Sequence, residues 1–394
     1  MINWILFDGK DRDNLLPFTF TRPVSEIRIG ILTIKEKWSK YMDGTQSYLT
    51  QPYLQKKFPL CLSDENVFIN GSVLPNKDLV NQILDMPLNS KLVEGEILIA
   101  VKIEIEKYRD SIPLWKMDVV KINNDVSFSY ISNVWDIFQK NGEAIEADYN
   151  LLTAGKKSQK ISSTNQLIGD RIFLEQGATV ECSILNASAG PIYIGKNAEV
   201  MEGSIIRGGL ALCEGATLKL GSKIYGPTTI GPFSKVGGEV NNSVIFGYSN
   251  KGHDGFLGNS VLGEWCNLGA DTNTSNLKNN YGNVRLWSYP DDDFVSTSLQ
   301  FCGLIMADHS KSGINTMFNT ATSVGVCANV FGGGFPDKYI PSFSWGGADG
   351  FETFKLEKAF EVAERVMERR GVQLSVEDKS ILTNVFERAL LHRK

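Results

Sequence analysis

The sequence of 394 residues contains only three histidines and six cysteines, and no two cysteines form a CxxC pair. Scattered cysteines argue against a structural zinc site and favour free thiols in a reducing compartment. The net charge of −5 gives no positive field, so we expect no nucleic-acid partner. No apolar run is long enough to span a membrane, and the opening MINWILFDG lacks a basic segment. We therefore expect no membrane association, no signal peptide and a cytoplasmic location.

Apolar residues recur every six positions in the middle of the chain, apart from an irregular stretch between Val180 and Ile194. They are Ile168, Leu174, Val180, Ile194, Val200, Ile206, Leu212, Leu218, Ile224, Ile230 and Val236. Small residues follow most of them four positions later, namely Ala178, Ala198, Ser204, Ala216, Ser222, Thr228 and Ser234. This period matches neither a helix (about 3.6) nor a strand (about 2). It is typical of a coil of three short strands with small residues at the corners, and stacked coils of this kind form a parallel β-helix.

The remaining sequence predicts two further segments around the β-helix. The first part mixes strand-like runs, such as Trp4–Phe7, with helix-like runs, such as Ile29–Met42, which is an α/β pattern. The last part reads as two amphipathic helices that break at Gly371, with Ser375 as the N-cap of the second. These helices either cap the coil or add to a subunit boundary. The predicted domains are an α/β domain (1–155), a β-helix (156–350) and a helical tail (351–394).

Three motifs in the β-helix carry a resemblance to a known family. They are GPFSK (231–235), KGH (251–253) and FLGNSVLGEWCNLGADTNTSN (256–276). In order and spacing they resemble the acetyltransferase half of the bifunctional N-acetylglucosamine-1-phosphate uridyltransferase and glucosamine-1-phosphate acetyltransferase. The hexapeptide pattern likewise resembles the β-helix of acyltransferases. The resemblance implies a left-handed β-helix, acetyl-CoA as the acetyl donor, an amino-sugar phosphate as the acceptor and a homotrimer.

The resemblance assigns the general base of acetyl transfer to His253. An amine that attacks a thioester must lose a proton, and a histidine near neutral pH is suited to accept it. A histidine at a coil corner can equally be a solvated side chain without a role. His309, in the polar segment MADHSKSGINT, competes for the same assignment. A zinc-binding β-helix needs three histidines on adjacent coils. Because His392 lies in the tail, only two histidines remain near the helix, which argues against a zinc site of this kind.

Other residues of these motifs are candidates for binding the sugar phosphate or acetyl-CoA. The candidates are Lys235, Lys251, Gly269, Ala270, Asn273 and Asn276. Backbone N–H groups at Gly269–Ala270 can hold an oxyanion, and the two asparagines either bind substrate or form a structural ladder. The family has two lysines where this chain has Asn241 and Asn242. Either Lys235, Lys251 or Arg207 replaces them, or the substrate differs.

The N-terminal segment resembles sugar-1-phosphate nucleotidyltransferases. The strand Trp4–Phe7 is followed by DGKDR (8–12) and PFTFTRPV (17–24) in the family's order. The resemblance implies that the backbone at Gly9 cradles nucleotide phosphates and that Arg12 offsets their charge. A family lysine is replaced by Val24, so Arg22 or Lys37 is expected to supply the charge. Asn70 stands where a metal-binding aspartate is expected, so the metal ligands stay unknown; an active head requires Mg²⁺ and an NTP.

Three functions follow as alternatives. The first is a transferase that acetylates an amino-sugar phosphate and also makes a nucleotide sugar for cell-envelope precursors. The second keeps the acyltransferase and gives the head only a sugar-nucleotide-sensing role. The third is a trimeric scaffold without catalysis.

Overall fold

The computed structural model of the protein describes residues 3–44, 46–109 and 112–391, so that His392 lies outside the described residues. Contacts between residues divide the chain into two compact units. The first unit comprises Met1–Leu15, Thr21–Ile27 and Leu32–Ser132, and the second comprises Leu16–Phe20, Arg28–Ile31 and Asn133–Lys394. The domain boundaries inferred from the sequence stay predictions.

The first unit contains a mixed β-sheet and two helices. Its elements are β1 (Asn3–Phe7), α1 (Ile34–Trp38), β2 (Gln46–Leu49), β3 (Glu65–Asn70), β4 (Val73–Leu74), α2 (Lys77–Leu84), β5 (Ser90–Glu94), β6 (Ile97–Glu104), β7 (Val120–Asn123) and β8 (Ser129–Tyr130). Within the described residues, the main sheet has the order β2-β1-β3-β6-β5-β7. β1 pairs with both neighbours in parallel, whereas β6 is antiparallel to β3 and β5. Apolar residues of β1, β3 and β6 form the core on one side of this sheet.

The helix predicted for Ile29–Met42 is much shorter in the structure, where α1 spans only Ile34–Trp38. Thr33 stops the helix from extending toward the N-terminus. Its side chain accepts a hydrogen bond from the Glu36 N–H (3.2 Å), and the Glu36 carboxylate accepts one from the Thr33 N–H (2.7 Å). This reciprocal capping box fixes the first turn. Gly30 has φ of 75°, which is not helical.

The second unit is built around the β-helix, which two short helices precede: α3 (Asp136–Gln139) and α4 (Asn141–Thr153). The strands of the first coils are β9 (Gln166–Ile168), β10 (Ile172–Leu174), β11 (Thr179–Val180), β12 (Ile184–Asn186), β13 (Ile192–Ile194), β14 (Glu199–Val200), β15 (Ile205–Arg207), β16 (Leu210–Leu212), β17 (Thr217–Leu218), β18 (Lys223–Tyr225), β19 (Thr228–Ile230), β20 (Lys235–Val236), β21 (Glu239–Asn241), β22 (Val244–Ile245), β23 (Asn250–Lys251), β24 (Phe256–Gly258), β25 (Val261–Leu262), β26 (Asn267–Leu268) and β27 (Asn273–Thr274). A hairpin of β28 (Arg285–Ser288) and β29 (Asp293–Ser296) interrupts the coil. The last strands are β30 (Ile305–Met306), β31 (Lys311–Ser312), β32 (Met317–Phe318), β33 (Ser323–Val324), β34 (Asn329–Val330), β35 (Tyr339–Ile340), β36 (Ser344–Gly347) and β37 (Gly350–Thr353).

These strands form three parallel sheets, one for each side of the coil, in about ten turns. The first sheet runs from β10 to β35, the second from β11 to β36, and the third from β9 to β24, with β27 and β32 as a further pair on it. The inward aliphatic side chains of all three sheets form one continuous core. The predicted combination of an α/β head, a β-helix and C-terminal helices is thereby confirmed, in an arrangement consistent with a left-handed coil.

The inward positions predicted from the six-residue period are buried, with the exception of Ile168. Ten of the eleven apolar residues are at most 3% exposed, as are all seven small residues. Ile168 is 49% exposed because Leu167 aligns with the inward Leu185 of the neighbouring strand β12. Because β9 pairs with β12 alone, it is an end strand of its sheet, and Leu167 is also exposed, at 47%.

Non-repetitive segments of the second unit cover part of its first sheet. Thr229 donates a side-chain hydrogen bond to the Gly30 carbonyl (2.9 Å), and the Gly30 N–H donates to the side chain of Asn141 (2.8 Å). The ring of Phe18 packs on Phe246 at a centroid distance of 5.2 Å. These contacts explain why outward-pointing residues of this sheet, such as Thr229, are fully buried.

The tail forms the two predicted helices, α5 (Leu356–Glu368) and α6 (Val376–Leu391). The Asp378 N–H donates to the Ser375 hydroxyl (3.0 Å), as an N-cap requires. The buried side of α5 carries Ala359, Ala363 and Met367, four residues apart. Phe386 of α6 packs edge-on against Phe343 (5.1 Å) at the end of the coil. Among the described residues, no helix is both long and apolar enough to cross a membrane.

Candidate functional sites

His253 lies on an exposed turn between β23 and β24. The buried Lys251 stabilises the turn, because its Nζ donates a hydrogen bond to the His253 carbonyl oxygen (2.7 Å). The imidazole is therefore presented to solvent on a backbone that is held in place. An exposed imidazole on a fixed backbone can accept a proton from a substrate bound beside it.

Lys251 itself is buried, with 2% of its surface exposed. It pairs in register with Val236 of the preceding coil, and Val236 belongs to the apolar core. A lysine thus occupies an inward position that is aliphatic one coil earlier. Burial lowers the pKa of Lys251 to about 8, although the nearby carboxylates of Asp254 and Asp271 oppose the shift. Its ammonium group is directed at the backbone of the His253 turn rather than at solvent.

The asparagines around this turn are engaged in hydrogen bonds with neighbouring residues. Asn273 accepts a bond from the Phe256 N–H (2.8 Å), and its amide donates to the Asp271 carbonyl (3.0 Å). Asn276 donates to the side chain of Asn259 one coil away (2.8 Å). Asn273 therefore holds the residue at which β24 begins, and Asn276 links two neighbouring coils, while each stays partly exposed.

The structure gives Gly269 a packing role. Its N–H donates to the Ser312 carbonyl (3.1 Å), so this donor already serves the contact between coils. A side-chain carbon at this position would lie 2.5 Å from the backbone of Gly313, so no larger residue fits. Its neighbour Ala270 accepts a bond from the Asn315 N–H (2.9 Å). Lys235 lies one coil before Lys251, on the exposed side of β20.

His309 is buried, in contrast to His253, with 9% of its surface exposed. It belongs to a row of corner residues with positive φ that we call the aromatic corner, formed by Phe233, Tyr248, Trp265 and His309. The rings stack in sequence, with centroid distances of 5.2, 4.2 and 6.3 Å. His309 therefore completes a stack of rings. Of the two candidate bases, His253 is the more exposed.

In the N-terminal unit, Arg12 points into the protein. Its side chain is 6% exposed and pairs with the equally buried carboxylate of Asp8 (3.3 Å). It also bonds to Asp13 (2.7 Å) and to the Tyr53 hydroxyl (3.0 Å). Burial raises the pKa of Asp8, even though Arg12 acts in the opposite direction. Arg12 thus stabilises the loop after β1 in this state.

Arg22 and Lys37 are also buried, at 6% and 3% exposure. Asn70 uses its side chain within the protein, because its amide donates to the Leu98 carbonyl (2.9 Å) and its oxygen accepts from the Ser72 N–H (3.0 Å). A Cβ on Gly9 would come within 3.0 Å of the Asn70 side chain. The glycine therefore permits close packing of the loop against β3.

A pocket of about 210 Å³ opens beside Gly9 in the same unit. It contains the exposed Lys10, whose Nζ lies 5.9 Å from the ring centre of Trp115, together with the carboxylates of Asp11 and Glu96. The motif assigns the positive charge to Arg12, whereas Lys10 is the cation among the described residues that line the pocket. A signal was present in the sequence, because Lys10 directly follows Gly9 in DGKDR.

The described residues contain no cluster of three or more histidine, cysteine, aspartate or glutamate side chains that could hold a metal ion. Mg²⁺ in phosphate-binding sites needs only one or two carboxylates, because water and substrate phosphates complete its shell. Asp11 and Glu96 both line the pocket, and burial raises the pKa of Asp11, which disfavours its charged form. Among the described residues, the pocket thus brings two carboxylates and one ammonium group beside Gly9.

The N-terminal part of the chain matches a known family over residues 4–157, that of the sugar nucleotidyl transferases. The class expected from the strand, the loop and the proline motif is thereby confirmed for this part.

Three curated relatives extend the comparison. The chain is 24% identical over 289 residues to the bifunctional sugar-1-phosphate nucleotidylyltransferase/acetyltransferase of Sulfurisphaera tokodaii, covering 68% of each protein. It is 25% identical over 164 residues to the bifunctional protein GlmU of Synechococcus elongatus, covering 40% of this chain and 32% of the relative. A GlmU of Methanococcus aeolicus is 30% identical over 87 residues, which are 22% of this chain and 20% of that protein. The chain thus spans about a third of the Synechococcus relative. Together, these matches confirm the family resemblance drawn from the motifs.

Proposed function

We propose that this chain is a two-part transferase of sugar phosphates. Its β-helix transfers an acetyl group from acetyl-CoA to the amine of an amino-sugar phosphate similar to glucosamine-1-phosphate. Its N-terminal part transfers a nucleotidyl group from an NTP to a sugar-1-phosphate, so that the product is a nucleotide sugar for cell-envelope synthesis. The observation that carries the acetyl-transfer half is the exposed imidazole of His253 on a turn held by the buried Lys251.

The chemistry assigned to His253 is that of a general base. The sugar amine attacks the thioester carbonyl, a C–N bond forms, and a ring nitrogen of His253 accepts the proton that the amine loses. The C–S bond then breaks and the CoA thiolate leaves. Asn273 and Asn276 support this step by holding the turn and the next coil in register.

The nucleotidyl-transfer half rests on the pocket beside Gly9. Lys10 supplies a positive charge for the phosphates, and Asp11 and Glu96 would hold Mg²⁺, which neutralises charge on the departing pyrophosphate. Trp115 gives the pocket an aromatic wall against which a base or sugar ring can pack.

A second candidate function for the head is binding without transfer. It is favoured by the burial of Arg12, because the guanidinium that the motif assigns to the phosphates is paired with Asp8 instead. In that case the head senses a sugar nucleotide and leaves acetyl transfer as the only reaction.

Two assays on the wild-type protein separate these functions. Thiol release from acetyl-CoA with glucosamine-1-phosphate measures acetyl transfer, and Mg²⁺-dependent pyrophosphate release with UTP, dTTP, CTP or GTP measures nucleotidyl transfer. Both activities are expected. Thiol release alone supports the sensing head, and the absence of both supports a scaffold and contradicts the proposal.

We further propose that the protein acts as a homotrimer in the cytoplasm. A three-sided coil offers flat sides that copies of itself can cover, and cyclic closure is the commonest outcome of such association.

A further inference from the structure

The hairpin β28–β29 breaks the regular coil and helps to form a second, larger pocket in the β-helix unit. Together with the segment around β35 and the hairpin β36–β37, it encloses about 740 Å³. Volumes of this size are typical of sites for small molecules. None of the candidate residues described above lines this pocket, so neither proposed reaction accounts for it.

Aromatic contacts hold the pocket in shape. The ring of Trp287 on the hairpin stacks on Tyr339 of β35, with centroids 3.9 Å apart and an angle of 12° between the rings. The ring of Phe294 meets Trp287 edge-on at 5.3 Å. Lys338 ties the two segments together, because its Nζ donates to the Arg285 carbonyl (3.1 Å). A wall fixed in this way needs little reorganisation when a ligand binds.

The charges on the lining select the sign of the ligand. Three carboxylates, those of Asp292, Asp337 and Glu352, line the pocket, and Lys338 is the single ammonium group among the lining residues that the structure describes. The Lys338 Nζ already lies over the Phe294 ring (5.4 Å) and bonds to a carbonyl. A phosphate would be repelled by the carboxylates, whereas a cation would be attracted by them.

We propose that this pocket binds an unphosphorylated amino sugar through its protonated amine. The ring of the sugar packs against the aromatic wall of Trp287 and Phe294, and the ammonium group is directed at Asp337 and Glu352. This inference goes beyond the proposed function, because the pocket contains no candidate base and disfavours the phosphorylated acceptor.

Titration calorimetry with glucosamine at pH 6, where its amine is protonated, tests the proposal. We expect glucosamine to bind at least about tenfold more tightly than N-acetylglucosamine, because the acetylated amine carries no charge. The double variant Asp337→Asn, Glu352→Gln should lose that preference. Glu357→Gln removes an exposed carboxylate outside the pocket and should bind glucosamine as the wild type does.

The double variant separates this pocket from the acetyl acceptor site, because it should lose glucosamine binding and keep acetyl transfer to glucosamine-1-phosphate. Equal affinity for glucosamine and N-acetylglucosamine, or unchanged binding by the double variant, would overturn the proposal. Failure of glucosamine to bind would also overturn it. If the double variant then changes the oligomeric state, the pocket is a contact between copies of the chain.

Discussion

The buried Lys251 gives the protein a stability that depends on pH in a specific direction. Folding lowers the pKa of this lysine from 10.5 to about 8. At about 1.4 kcal/mol for each unit of pKa, the charged form costs about 3 kcal/mol in the folded state at pH 7. This cost is absent above pH 10.5, where the lysine is neutral in both the folded and the unfolded chain. It grows as the pH falls from 10.5 toward 8, so that the folded state loses this part of its stability.

The substitution Lys251→Met isolates this effect, because methionine fills a similar space in the core without a titratable group. We expect the unfolding free energy of the wild type to rise by about 2 kcal/mol relative to Lys251→Met between pH 7 and about pH 9.5. Urea unfolding at both pH values measures the difference. Lys235→Met, which changes an exposed lysine one coil earlier, is the matched control and should show almost no such trend. If the difference in unfolding free energy between wild type and Lys251→Met stays constant with pH, the pKa of Lys251 is not lowered by folding.

Three further predictions concern the head, the assembly and the tail. Arg12→Ala removes the cation beside the buried Asp8 carboxylate and should destabilise the N-terminal unit by about 3 kcal/mol in urea unfolding. Lys10→Ala should leave stability unchanged and weaken nucleotide binding, and the reverse pattern would contradict both assignments. Light scattering should give a trimer of three 43.6-kDa chains, and an active monomer would exclude it. Phe386→Ala removes the ring packed on Phe343 and should cost about 1–2 kcal/mol and expose the tail to proteases; unchanged protease resistance would argue against this contact.

The six-residue period predicted the β-helix core because each coil repeats the same packing requirement. The period loses its phase where the coils change length: 18 positions separate Leu218 from its equivalent Val236, but only 15 separate Val236 from Lys251. For this reason the sequence did not show that Lys251 occupies an inward position. Ile168 was misplaced because Leu167, one residue earlier, is the residue of the first strand that aligns with the inward Leu185.

The candidate sites were predictable where the residues are close in sequence. The turn around His253 is local, and the structure places its imidazole in solvent. The burial of Arg12 depends on Tyr53, which is 41 positions away, and that of His309 depends on ring stacking between successive coils. Contacts of this range are set by the tertiary fold, and a motif alone does not contain them.

The role of His253 as the base for acetyl transfer can be tested by the kcat of two histidine variants. In the thiol-release assay with acetyl-CoA and glucosamine-1-phosphate, His253→Ala should lower kcat by about 10² or more with little change in the acetyl-CoA KM. His309→Phe keeps a ring in the aromatic corner and should retain nearly the wild-type kcat. A large loss in His309→Phe together with a nearly unchanged His253→Ala would contradict the account.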